Sequence, residues 1–260
     1  MSGYILCQQK KAEQPYFIEN ISTNIYSMEE LCYYLYHNLY LVDRTILEEG
    51  LCSWLEKELE LPKLAAKLRP HLGKFASAED VLYPVFKEIN YLTYEELKWL
   101  NAQLAKMETE SPLLRQKKKG DALMENGMLV SAIHVYEGLL KEEGLEEAHE
   151  GLTGLLWHNL GCAYSYLFQM EKAAECFWEA WEQSEAEEEL EAYLLAFHAI
   201  RTSIEYESRL QELGADPALR ERVNKRLQDF GRKPERPVYS QHVDPLLETF
   251  TREYHRSTGS

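Results

Sequence analysis

The chain has 260 residues, a length that can bury a substantial core in one large domain or two small ones. Its hydrophobic fraction of 45% and charged fraction of 28% are ordinary for a globular protein, and no apolar run approaches the length of a membrane span. The 28 basic and 44 acidic residues give a formal net charge of −16, which disfavours nucleic acid as a partner because a polyanion would be repelled.

The N-terminal stretch up to Tyr26 differs from the rest because its apolar residues fall in short runs of aromatic and β-branched side chains. Residues 4–8 and 16–21 are two such runs, separated by the polar stretch from Gln9 to Pro15. This pattern predicts a small β-hairpin or two extended segments. The N-terminus also lacks the basic start and apolar stretch of an export signal, so we expect a cytoplasmic protein.

Helix signals dominate from Ser27 onward. A serine or threonine followed three residues later by an acidic residue forms a capping box, which marks the start of a helix. Proline suits a first helical turn, and a later proline ends a short helix. These signals predict helices from Ser27 to about Tyr40, from a cap at Asp43 to about Leu59, from Pro62 to Pro70, from Ser77 to about Asn90 and from Thr93 to about Lys106.

The first of these helices is crowded with tyrosines. Leu31, Leu35 and Leu39 form one stripe, and Tyr33, Tyr36 and Tyr40 form the adjacent one. Two interpretations stay open: a broad buried face with hydroxyls at its rim, or an aromatic patch for a partner.

A repeat-like pattern occupies the middle of the chain. Small and aromatic residues alternate at helical spacing over two adjacent helices, in an order typical of a helical hairpin. The residues are Trp157, Leu160, Gly161, Tyr164, Ala173, Phe177 and Ala180. They resemble one tetratricopeptide repeat (TPR), which has the pattern W-x2-L-G-x2-Y followed by A-x3-F-x2-A.

A second, degenerate copy lies upstream. Gly120, Ala132 and Tyr136 precede their counterparts Gly161, Ala173 and Phe177 by one constant offset, which exceeds the usual repeat period of about 34 residues by about seven. Ser111-Pro112 marks its start and Asn126-Gly127 its internal turn.

The last helical part is a weaker match. Leu190 to Ile204 keeps helical spacing, and the loop Leu213–Pro217 precedes a helix from Ala218 to Phe230. We therefore predict an all-α protein: an N-terminal helical region with a short extended or hairpin leader, followed by an α-α superhelix of TPR-like helical hairpins. The expected domains are residues 1–110, residues 111–231 and a partly helical or mobile tail at 232–260.

The resemblance implies where a partner would bind. The first helix of each TPR hairpin lines the concave side of the stack, so its residues that are not used for packing are candidates for recognition. The candidate partner-binding residues are Lys117, Asp121, His158, Asn159, Ser165 and Tyr166. TPR proteins that hold the acidic tails of heat-shock chaperones use a lysine and asparagine clamp at such positions. Lys117 and Asn159 match two clamp positions, but Asp121 replaces an asparagine and would repel a carboxylate.

No motif predicts catalysis, a metal or a cofactor. His158 and Cys162 lie four residues apart on one helix, but two ligands from one helix do not make a metal site. The odd number of cysteines, without CxxC spacing, favours a reduced chain with packed thiols.

We therefore expect a non-catalytic adaptor or scaffold, of which a co-chaperone is one example, that binds a protein or peptide. Residues 111–210 carry 8 basic and 19 acidic residues, so a neutral or basic ligand is favoured. Two alternatives stay open. One is self-association as a homodimer through the end faces of the stack, and the other is an enzyme with an unrecognised site in residues 1–110.

Overall fold

The computed structural model describes residues 10–42, 46–72 and 79–231. These residues are mostly helical, as predicted, with one short hairpin near the N-terminus. The elements are β1 (Tyr16–Ile18), β2 (Thr23–Ile25), α1 (Met28–His37), α2 (Glu49–Lys57), α3 (Pro62–Leu68), α4 (Glu79–Glu88), α5 (Tyr94–Thr109), α6 (Pro112–Glu125), α7 (Leu129–Leu139), α8 (Leu145–Ala148), α9 (Leu152–Tyr166), α10 (Met170–Ser184), α11 (Glu187–Ile200), α12 (Ser203–Glu212) and α13 (Pro217–Gly231).

One compact unit extends to Val223 and contains all the elements up to the first turns of α13. Residues 224–231, the remainder of α13, fall in a second unit. The contacts and sites below all lie in the first unit.

The hairpin pairs β1 with β2 in antiparallel register, with Tyr16 opposite Ile25 and Ile18 opposite Thr23. Residues 16–18 are extended as predicted, but the extension of that strand to Ile21 was wrong, because Glu19–Ile21 forms a 3₁₀ turn that reverses the chain. The partner strand is β2, which follows directly, and the predicted segment at residues 4–8 lies outside the described residues. Tyr16, Ile18 and Ile25 are buried.

The capping boxes begin the helices that they predicted. The side chain of Ser27 accepts a hydrogen bond from the backbone of Glu30 at the start of α1. Thr93 and Glu96 form the reciprocal pair at the start of α5. The first helix ends at His37 rather than Tyr40, because Leu39–Leu41 forms a 3₁₀ turn. Ser77 lies outside the described residues, although α4 is present.

The second helix begins later than predicted. Asp43 lies outside the described residues, and Ile46 and Leu47 lie in a turn before α2, which starts at Glu49. Both residues are nevertheless buried. The carbonyl of Ile46 accepts a hydrogen bond from the hydroxyl of Tyr16, so the hairpin holds this turn.

Helical hairpins form the middle of the chain. α6 packs on α7 across the predicted turn at Asn126 and Gly127, and α9 packs on α10. The two hairpins meet mainly through α7 and α9, and α11 covers the other side of α10. At the helix crossings Gly120 faces the ring of Tyr136, and Gly161 faces the ring of Phe177.

The predicted continuous spacing from Leu190 to Ile204 was wrong at its end. α11 stops at Ile200, and a new helix, α12, begins at Ser203. The cause is a capping box that the sequence contains, in which Thr202 and Glu205 satisfy each other's backbone N–H groups. Ile204 is consequently exposed on α12 rather than buried on α11.

The N-terminal helices contact the first hairpin directly. The 3₁₀ turn at Leu39–Leu41 packs on α6. Nearby, Lys118 of α6 forms an ion pair with Glu110 and donates to the hydroxyl of Tyr40 over 3.0 Å. These contacts join α6 to the part of the chain that precedes it.

Candidate functional site

Asp121 organises a polar cluster where three helices meet. Its Oδ2 accepts from Lys117 Nζ, one turn earlier on α6, over 2.7 Å. Its Oδ1 accepts from Asn159 Nδ2 of α9 over 2.7 Å and from the Tyr136 hydroxyl of α7 over 2.8 Å. We call these four residues the Asp121 cluster. The fold thus brings three of the predicted site residues together and adds Tyr136, which the sequence assigned only to packing.

The cluster is electrostatically satisfied within the protein. Burial first, and then the negative charge of Asp121, raises the pKa of Tyr136, so its hydroxyl stays protonated and donates. Lys117 supplies the positive charge that Asp121 needs. Asn159 uses its amide group to pair with Asp121, so the cluster ties α6, α7 and α9 together as well as forming part of the surface.

His158 contacts residues that are not part of the Asp121 cluster. Its Nδ1 lies 2.7 Å from Glu189 Oε2 of α11, and its Nε2 lies 3.4 Å from Cys162 Sγ. The hydrogen bond with Cys162 first, and the one with Glu189 second, raises the pKa of His158 to about 10. The imidazole therefore connects α9 with α11 as a charged group.

The remaining two predicted residues differ in exposure. Ser165 is half-buried and donates to the carbonyl of Gly161 over 2.9 Å, a bond within its own helix. Tyr166 is 69% exposed in the last turn of α9. Of the six predicted residues, Tyr166 offers the largest exposed apolar surface to a partner.

Phe168 is a surface residue that the sequence reasoning missed. It lies in the turn between α9 and α10, is 85% exposed and has a φ of +57°. This left-handed conformation suits glycine and is costly for a residue with a bulky side chain. The signal was present, because Phe168 follows Gly127 at the same offset that relates Gly161 to Gly120, and Gly127 has a φ of +72° in the corresponding turn.

A cleft of about 670 Å³ lies beside α9, on the edge away from the Asp121 cluster and next to α7 and α10. Trp157 and Tyr164 line it together with the carboxylates of Glu137, Glu175 and Glu179. Burial and the hydrogen bond to Glu137 raise the pKa of Tyr164 to about 12. Trp157, which the repeat pattern assigned to packing, is only half-buried because one side of it faces this cleft.

The enzymatic alternative would need reactive side chains in residues 1–110, and three residues of that kind there have different environments. His37 borders a cleft of about 310 Å³ with Tyr36, Tyr40 and Trp99. Cys52 is buried in α2, and His71 lies 3.5 Å from Asp80.

Across residues 10–42, 46–72 and 79–231, three or more His, Cys, Asp or Glu side chains do not converge on a position that would hold a metal ion. Among the helices of those same ranges, none has the length and apolar character needed to cross a bilayer.

No known protein family, curated protein or solved structure matches the chain.

Proposed function

We propose that this protein is a non-catalytic adaptor or scaffold that binds a protein or peptide partner, and that its hairpins α6–α7 and α9–α10 are TPR-like units. The repeated contact between a helical glycine and an aromatic ring, Gly120 with Tyr136 and Gly161 with Phe177, supports the second part. One sequence offset relates the glycines of the two contacts and also their rings. Packing of this kind builds a scaffold and leaves function to the surface residues.

One observation carries the binding proposal: Tyr166 and Phe168 are exposed in and beside the turn between α9 and α10. We call them the aromatic pair. Phe168 occupies a left-handed position at which the first hairpin has glycine, so its side chain costs stability that Gly127 does not. Strained, exposed aromatic residues are typical of binding sites, where the ring fills a pocket on the partner.

The net negative charge of residues 111–210 indicates the charge of the proposed partner. Residues 111–210 carry 8 basic and 19 acidic residues. A neutral or basic peptide with an apolar anchor would meet the aromatic pair without repulsion, and the negative field of this region would speed the encounter of a basic peptide at low salt. This charge argues against the acidic chaperone tails that some TPR proteins bind, and Lys117, which matches a clamp position, is already paired with Asp121.

The test is a binding experiment with the intact protein and a displayed library of random peptides. The variants are Tyr166→Ala combined with Phe168→Gly, and the matched control Ile204→Ala, which removes an equally exposed apolar side chain from α12. We expect wild type and Ile204→Ala to select neutral or basic peptides with an apolar anchor, and the double variant to bind them at least about tenfold more weakly. Binding of the basic peptides should weaken as salt rises.

Two results would contradict the proposal. If the double variant binds the selected peptides as tightly as wild type while circular dichroism shows unchanged helix content, the aromatic pair does not recognise them. If wild type is a dimer by light scattering and the double variant is a monomer, the pair mediates self-association instead. The tyrosine-rich helix α1, on which Tyr33 is exposed, would be the next surface to test.

A further inference from the structure

Cys162, His158 and Glu189 form a hydrogen-bonded chain that the proposed binding function does not require. The Sγ of Cys162 lies 3.4 Å from Nε2 of His158, within the range of a hydrogen bond between a sulfur and a ring nitrogen. The other ring nitrogen, Nδ1, lies 2.7 Å from a carboxylate oxygen of Glu189. A thiol, an imidazole and a carboxylate in this order are the components that activate a cysteine nucleophile.

The other described cysteines have a different environment. Cys32, Cys52 and Cys176 are buried. Burial raises the pKa of all three thiols, that of Cys176 to about 12, so they stay protonated and inert. Cys162 is only half-buried, and it is the described cysteine with an imidazole as its neighbour.

The charges around Cys162 come from several helices. On its own helix, His158 carries a positive charge that Glu189 of α11 supports. On the other side, Tyr136 of α7 is close enough to interact with the thiol, and its partner Asp121 of α6 is itself neutralised by Lys117. The nearest ionised group in hydrogen-bonding contact with the sulfur is therefore the imidazolium.

We propose that Cys162 is a nucleophilic cysteine, activated by the ring of His158 that contacts its sulfur over 3.4 Å, and that it is a site of oxidation by hydrogen peroxide. The sulfur attacks one oxygen of hydrogen peroxide, the O–O bond breaks, and the departing hydroxide takes the proton that Cys162 and His158 share, from Nε2 of His158, to leave as water. The sulfur is oxidised to a sulfenic acid, the peroxide is reduced, and His158 is left neutral. Glu189 is a positioning residue that holds the ring and its charge.

Cys162 lies in the interior of α9, so the backbone around it does not assist a reaction at its sulfur. Backbone N–H groups in the interior of a helix bond to carbonyls one turn earlier, so they are not free to stabilise an oxyanion. Acyl transfer is therefore not favoured, whereas attack on a peroxide needs only an accessible thiolate and a proton donor.

The first experiment measures how fast each cysteine reacts in the intact protein at about neutral pH. Hydrogen peroxide is added with dimedone, which traps sulfenic acid, and iodoacetamide is used in a parallel reaction. Trypsin cleaves after Lys172, so Cys162 and Cys176 are followed in separate peptides by mass spectrometry. We expect Cys162 to be labelled at least about tenfold faster than Cys32, Cys52 or Cys176.

A second comparison distinguishes activation of Cys162 by His158 from simple exposure of its thiol. The same reactions are therefore run on the chain unfolded in urea, where every thiol is exposed. An activated Cys162 reacts faster in the folded protein than in the unfolded chain, a result that exposure cannot produce. A folded rate equal to or below the unfolded rate overturns the proposal.

Variants test the roles of the two partners. His158→Gln should slow the labelling of Cys162 by about tenfold, and Glu189→Gln should slow it by a smaller factor. His134→Gln, which changes an exposed histidine on α7, is the matched control and should leave the rate unchanged. An undiminished rate in His158→Gln with intact helix content, or a stoichiometric metal bound to Cys162 in the purified protein, overturns the proposal. None of these readouts depends on peptide binding, so this inference and the proposed function can fail separately.

Discussion

Gly161 lies so close to the ring of Phe177 that a Cβ built on the glycine would be 2.7 Å from Cε1 of the phenylalanine. Gly120 has the same relationship with Tyr136, and there the approach is closer still. Both rings are buried, so neither can swing away into solvent. The absence of a side chain at the glycine therefore sets the distance between the two helices of each hairpin.

Adding one methyl group at this crossing should destabilise the protein. Gly161→Ala gains about 1 kcal/mol of helix propensity but overpacks the buried ring at a cost of about 1–3 kcal/mol, so we expect a net loss of up to about 2 kcal/mol. Gly138→Ala is the control, because Gly138 is in α7 and a Cβ there meets nothing within 4 Å. It should gain up to about 1 kcal/mol. Urea unfolding of both variants measures the difference, and equal midpoints would show that the crossing can relax.

Phe168→Gly should stabilise the fold. Replacing an exposed phenylalanine at φ +57° with glycine relieves left-handed strain of about 1 kcal/mol or more and removes no buried contact. The reverse change in the corresponding turn, Gly127→Ala, should lose about 1 kcal/mol without any steric clash. Thermal unfolding gives both values. A loss of stability in Phe168→Gly would mean that the ring makes contacts that support the fold.

Asp121→Ala should cost about 1–3 kcal/mol, because it leaves Lys117, Tyr136 and Asn159 without their common acceptor. The control is Glu125→Ala, one turn further along α6, where the side chain is exposed and the change should stay within about 0.5 kcal/mol. Urea midpoints compare the two. If the two variants lose the same stability, the cluster contributes little to holding the three helices together.

His158 should contribute stability that depends on pH. Its folded pKa, about 10, is above the value of about 6.5 expected in the unfolded chain. A raised pKa stabilises the folded state fully below the unfolded value, and this contribution is lost as pH rises through the folded value. The stability difference between wild type and His158→Gln should therefore be largest near pH 6 and shrink towards pH 10. Urea unfolding at several pH values measures it, and a difference that grows with pH would contradict the assignment.

Much of the fold could be read from local signals. Ser27, Thr93 and Ser111 each precede a helix as expected, because a cap satisfies orphan N–H groups within one turn of the chain. The turn before α2 could not be predicted in this way, since its residue Ile46 accepts a hydrogen bond from the hydroxyl of Tyr16, 30 residues earlier. The break between α11 and α12 also has a local signal, the capping box of Thr202 and Glu205. It was missed because apolar residues continue at helical spacing across the break.

The candidate site was predictable only in part. The spacing of α6 and α9 placed Lys117, Asp121 and Asn159 on comparable faces, but spacing does not reveal that Asp121 accepts from both helices. The bond from His158 to Glu189 depends on how α11 packs, which local pattern cannot supply. Phe168 could have been found by continuing the constant offset between the two copies past the helices and into the turn.

The turn at Leu39–Leu41 has a consequence for how the chain can be divided. Because it packs on α6, and because Lys118 bonds to Tyr40 and Glu110, the outer face of the first hairpin is already covered by earlier residues. In arrays of helical hairpins, a capping element on the first unit prevents its apolar face from associating with other molecules. A fragment starting at residue 111 would expose this face, so its aggregation in solution would reflect the cut rather than a natural partner surface. The smallest piece suited to measurement therefore includes the N-terminal helices.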